Sequence, residues 1–121
     1  MATETSFAAF CPRYHRAVEL IGRRWSGAIL RAMLSGAHRF SQLSELIPGV
    51  SDRLLSERLK EFEAEGLLVR TVIAETPVRI EYHLTEKGYA LLPVVEALAT
   101  WAEAWIAPVT DDSPAGVLSL P

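Results

Sequence analysis

Residues 40–66 read FSQLSELIPGVSDRLLSERLKEFEAEG, and this stretch decides the fold. Phe40 to Ile47 forms a short amphipathic pattern. Ser41 is the expected N-cap, and Leu43, Leu46 and Ile47 are expected to face inward. Pro48-Gly49 is a strong turn signal. Ser51 then caps a helix expected to run to Gly66. A short helix joined by a tight Pro-Gly turn to one of about four turns is the layout of a helix-turn-helix.

Upstream, Cys11-Pro12 starts a helix, with Pro12 suited to the first helical position because its missing N–H goes unpaired there anyway. Ala17, Leu20 and Ile21 give it an apolar face, and Gly22 ends it. Trp25 to Leu34 repeats apolar residues at helical spacing and closes at Ser35-Gly36. Downstream of Gly66 the period switches to two. Leu67 to Ala74 reads as a strand, Glu75-Thr76-Pro77 as a turn, and Val78 to Leu84 as an alternating strand. In that second strand Val78, Ile80, Tyr82 and Leu84 are expected inside. Thr85 caps a last helix reaching about Ile106. The expected fold is mainly α with a small β-hairpin (α+β), a winged helix-turn-helix. Residues 1–10 form a flexible arm, 11–106 the domain and 107–121 a flexible tail.

The chain has 121 residues, half of them hydrophobic and 22% charged, which suits one folded domain. No apolar run approaches the roughly 20 residues of a membrane span, and Met1 to Phe10 has no signal-peptide pattern. A cytoplasmic protein without membrane partners is expected. The single cysteine, Cys11, excludes an internal disulfide and any multi-cysteine metal site. The net charge of -3 is unevenly spread. Residues 1–60 carry nine Lys/Arg against five Asp/Glu, a balance of +4, and residues 61–121 carry three against ten, a balance of -7. A basic front half suits a polyanion partner even though the whole chain is acidic.

Projected at 100° per residue, the 51–66 helix places Leu54, Leu55, Leu59 and Phe62 on one side. Arg53, Ser56, Glu57, Lys60 and Ala64 fall on the other. A guanidinium, a hydroxyl, a carboxylate and an ammonium are the groups that read base edges and phosphates in a major groove. The β-hairpin that follows is placed as a wing. Arg58 lies inside the apolar arc, where its stem is buried and its head must meet either a phosphate or a carboxylate such as Glu61.

These residues resemble the HxlR-type transcriptional regulators. The resemblance runs through Cys11-Pro12, Ile21-Gly22-Arg23-Arg24-Trp25, Arg39 to Leu43, Ile47 to Ser51, Arg58-Leu59-Lys60, Glu63 to Leu67 and Pro77 to Thr85, with Gly88 and Pro93 beyond. Arg23-Arg24 stands where the family usually has Gly-Lys. The resemblance implies a MarR-related, dimeric winged helix-turn-helix that binds double-stranded operator DNA, without a cofactor, and most simply as a repressor. The candidate DNA contacts are Arg39, Ser41, Gln42, Ser51, Arg53, Ser56, Glu57, Lys60 and Arg79. Some members of the family sense oxidants or electrophiles through an N-terminal cysteine. Cys11 is the corresponding candidate, at a helix start where the dipole favours a thiolate. The same position also suits an inert packed thiol. A small-molecule ligand is the other effector class expected.

The last helix argues for self-association without the resemblance. From Leu91 to Ile106 only Glu96, Thr100 and Glu103 make a polar stripe. Leu91, Val94, Val95, Leu98, Trp101 and Trp105 lie on an apolar arc of roughly 220°, wider than one domain core covers. The expectation is a homodimer through the terminal helices, on a palindromic operator. Two other classes compete. An enzyme lacks support because no nucleophile elbow, phosphate loop or paired His/carboxylate motif is present. A protein-interaction module on a winged-helix scaffold would need no basic face on the 51–66 helix.

Overall fold

The computed structural model describes residues 8–109. Six helices and one hairpin follow in order: α1 (Pro12–Gly22), α2 (Ser26–Leu34), α3 (Phe40–Leu46), α4 (Asp52–Ala64), β1 (Leu68–Ile73), β2 (Arg79–Leu84), α5 (Glu86–Tyr89) and α6 (Leu92–Trp105). The expected regions 1–10 and 107–121 lie mostly outside the described residues.

The core forms where α2, α3 and α4 converge on the start of β1. α2 supplies Ile29, Leu30 and Met33, α3 supplies Leu43, and α4 supplies Leu55, Leu59 and Phe62. Ile47, Leu67 and Leu68 close it. The α4 residues recur at i, i+4 and i+7, so one stripe is buried and the opposite face is left to solvent. The Ser51 hydroxyl accepts the Leu54 N–H at 3.1 Å and starts α4 as the sequence implies. Gly66, at φ +79°, reverses the chain after α4 in a conformation that disfavours a side chain. β1 and β2 pair antiparallel with Leu68 opposite Leu84 and Ile73 opposite Arg79. The Tyr82 N–H donates to the His38 carbonyl at 2.7 Å, tying the wing to the start of the helix-turn-helix.

Five local expectations are corrected. Arg39, not Ser41, is the N-cap of α3. The Gln42 side chain reaches back, its Oε1 accepting the N–H groups of His38 at 2.9 Å and Arg39 at 3.0 Å. A glutamine at the third helical position reaching back to the cap N–H is the returning half of a capping box, and it fixes the helix start at Phe40. Trp25 does not open α2. It is the N-cap, held at φ 73°, with the Arg24 guanidinium 5.6 Å from its ring centroid. The last helix is broken. Pro93 sits in the first turn of α6 and has no N–H to continue the ladder from α5. Finally, Val78, just before β2, and Leu46, at the last position of α3, are exposed rather than inward-facing.

Candidate nucleic-acid interface

The face of α4 opposite its buried stripe carries the sequence-predicted groups. Arg53, Glu57 and Lys60 are exposed and Ser56 is half-buried. Arg53 is 84% exposed and meets Glu57 across one turn at 3.3 Å. An exposed pair of this kind contributes at most about 0.5 kcal/mol, so either side chain can exchange it for a base edge. Lys60 has no ion-pair partner among the described residues and is available to a phosphate. Ser51 accepts from Leu54 and keeps its hydroxyl proton for donation.

On α3, Ser41 is exposed in the first turn and Arg39 is half-buried at the cap. Gln42 has its carbonyl oxygen occupied by backbone donors, which leaves its NH₂ as the group free to reach outward. The two helices therefore present donors chiefly, with Glu57 as the acceptor.

Arg58 resolves to the carboxylate alternative. Its residue is 7% exposed, its Nε donates to the Arg24 carbonyl at 2.9 Å, and its terminal nitrogen meets Glu61 at 3.1 Å.

The wing is less basic in effect than in sequence. Arg79 lies 3.4 Å from Glu75 and 3.0 Å from Glu81, while Val72 and Val78 expose apolar surface near the tip. Arg79→Ala is therefore expected to lower thermal stability and leave the salt dependence of DNA binding unchanged. A slope flatter by about one unit would place Arg79 on a phosphate instead.

Sequence reasoning missed one cluster. The rings of His38 and His83 stack with centroids 5.3 Å apart, and His83 Nε2 lies 2.8 Å from Glu81. The hydrogen bond from His83, reinforced by the Arg79 and His38 charges, holds the Glu81 carboxyl below the usual carboxylate range. Its stabilising effect on the wing is present above the ordinary carboxylate pKa and fades as pH falls through the lowered value. Alternation along β2 pairs Glu81 with His83, but nothing local signals His38, 45 residues away.

The two terminal helices leave apolar surface uncovered. Val94, Leu98, Trp101 and Trp105 of α6 are exposed, Trp105 by 75%. Leu91 and Val95, expected in the same interface, instead pack partly against the chain's own core. α1 has no buried residue and exposes Tyr14 and Val18, in line with Phe10 just before its cap at the same four-residue spacing, a stripe that the sequence period could have revealed. Cys11, the N-cap of α1, is exposed. The backbone N–H of Tyr14 lowers its thiol pKa below the ordinary value, with smaller help from the Arg13 N–H and charge.

Among the described residues no helix is long and apolar enough to cross a membrane, and no three His, Cys, Asp or Glu side chains are grouped to hold a metal ion.

Residues 20–110 match the HxlR-like helix-turn-helix family. The chain is similar to the HTH-type transcriptional regulator YvaP of Bacillus subtilis, 50% identical over 98 residues that cover 81% of this chain and 91% of YvaP. It is also similar to the HTH-type transcriptional regulator YodB of the same organism, 42% identical over 81% of this chain and 88% of YodB. The reduced form of YodB superposes with a TM-score of 0.71 at 40% identity, covering 84% of this chain and 99% of that one. YodB has also been solved diamide-treated and quinone-bound. The redox regulator HypR in its oxidised form gives a TM-score of 0.74 at 33% identity, covering 81% of this chain and all of HypR.

Proposed function

Because the chain belongs to the HxlR-like helix-turn-helix family of transcriptional regulators, we propose that it binds a palindromic operator in the cytoplasm as a homodimer and represses transcription. The observation that carries the DNA-reading role is the exposed Arg53–Glu57–Lys60 face of α4, set directly opposite its buried leucines and Phe62. α4 enters the major groove, with α3 crossing the backbone and Arg39, Ser41 and Gln42 at its entry. A second copy covers the exposed faces of α6 and α1, which places the acidic half of each chain away from DNA. Arg53→Ala is expected to weaken specific binding by ~1–3 kcal/mol, the range for losing one bidentate base contact. Titration against operator and random duplex at one salt concentration checks this. Equal loss on both makes Arg53 a phosphate contact, and no loss on either refutes both roles. A protein-interaction module without specific binding would show no preference between the duplexes at all.

The exposed, acidified thiol of Cys11 favours a response to oxidants or electrophiles over inert packing. YodB, solved with diamide and with quinone, supports the same reading. Treatment with diamide or a quinone is expected to weaken operator binding by the wild type and not by Cys11→Ser. An equal response of the two proteins removes Cys11 from the mechanism.

A further inference from the structure

α1 touches the rest of the chain lightly, with no buried residue of its own. Between it and the end of α4 lies an open cleft of about 680 Å³, lined by Val18, Leu20 and Ala64 among others. Charges span this cleft at two points. Arg16, in the middle of α1, pairs with Glu65 at the C-cap of α4. Arg23, the C-cap of α1, lies 3.4 Å from Glu61, one turn before the end of α4. The Glu61 oxygen that meets Arg23 also meets the buried Arg58 at 3.1 Å. Arg58 in turn holds the Arg24 carbonyl, next to the left-handed Trp25 that joins α1 to α2. The other Glu61 oxygen is buried and has no partner among the described residues, so the carboxylate has an acceptor to spare when α1 shifts.

We propose that Glu61 is a positioning residue for operator binding. It gathers Arg23 and Arg58 into one ionic joint which, with the Arg16–Glu65 pair, makes the attitude of α1 set the attitude of the recognition helix. This rests on the reading of α4 as the element that enters DNA. None of Glu61, Glu65, Arg16 and Arg23 belongs to the Arg53–Glu57–Lys60 face, so the four act through α4 rather than on bases. α1 carries Cys11 and its own exposed apolar stripe. An event at either reaches α4 through these contacts, which bridge the open cleft between the two helices. The Arg16–Glu65 and Arg23–Glu61 pairs lie at the surface and add little to stability, so they act on orientation and not on folding.

The test is a charge-reversal cycle at the exposed pair, where both substitutions leave the core untouched, together with Arg23→Gln. Operator and random-duplex affinities are measured on the full chain at one salt concentration, with sizing and thermal unfolding alongside. Glu65→Arg adds positive charge and by general electrostatics strengthens binding to any DNA. The joint predicts instead that Glu65→Arg, Arg16→Glu and Arg23→Gln each lower the ratio of operator to random affinity by about tenfold. Arg16→Glu combined with Glu65→Arg restores it to within about twofold, and Arg23→Lys restores most of the Arg23→Gln loss. Melting temperature and mass stay at the wild-type values. Ratios that stay at the wild-type value, or a double variant no better than its parents, overturn the proposal while leaving the role of α4 intact. A wild-type chain without preference for any duplex overturns the role of α4 and the proposal with it.

Discussion

Trp101→Asp is expected to yield a folded monomer that has lost about a hundredfold or more of its operator affinity. The side chain is 54% exposed in the single chain, so the substitution leaves the core of α2, α3 and α4 untouched. In a dimer built on α6 the same position is covered, and an unpaired carboxylate there is strongly unfavourable. No basic residue changes. The affinity falls because two half-sites no longer bind as one unit, and effective concentration of this kind adds two to four orders of magnitude. Sizing, circular dichroism and operator titration together check the expectation. A folded variant that remains dimeric and binds normally removes α6 from the interface and leaves the Phe10–Tyr14–Val18 stripe of α1 to build it.

Gly88→Ala is expected to destabilise the chain by about 3 kcal/mol, lowering the melting temperature by roughly 10–20 °C for a domain of this size. A Cβ at position 88 would stand 2.3 Å from the Leu67 carbonyl oxygen and 2.9 Å from a Leu84 methyl. That carbonyl cannot retreat cheaply, because it accepts the Thr85 N–H at 2.9 Å. Gly88 itself donates to the Thr85 hydroxyl at 3.2 Å. The substitution therefore lifts α5 away from the junction of α4, β1 and β2. A melting temperature within about 2 °C of wild type would mean that the backbone relaxes around the methyl at little cost.

The helix-turn-helix and the wing were legible because each announces itself locally. Leu55, Leu59 and Phe62 repeat at the helical period, Pro48-Gly49 breaks it, and Leu67 switches to the strand period. The polar face of α4 follows from the same projection, and Arg53, Glu57 and Lys60 are exposed on it. Competition between local solutions was harder to read. Ser41 is the better N-cap by residue type, but Gln42 reaches back to the His38 and Arg39 N–H groups and sets the cap at Arg39. Pro93 was visible, yet a proline in the first turn of a helix and a proline inside a longer one look alike until Ala90-Leu91 is seen to break the ladder. Contacts between distant segments were not legible at all. The stack of His38 on His83 depends on how the wing folds back, whereas the pairing of Arg79 with Glu81, two residues on, was open to the sequence as an alternative to a phosphate. Arg58 lies between these cases: its burial was evident from the projection, and the choice of Glu61 over a phosphate came from the position of the α1–α2 joint.

Selection of bound duplexes from a random pool tests the DNA-reading dimer most directly. The purified wild-type chain and Arg53→Ala are each taken through rounds of binding and recovery at fixed salt. The wild type is predicted to enrich an inverted repeat whose half-sites are centred about one helical turn, or a multiple of it, apart. Arg53→Ala is predicted to lose the preference at one base position in each half-site and keep the spacing. Enrichment of no motif, of a single unpaired half-site, or of the same motif by both proteins would contradict a symmetric dimer that reads DNA through α4.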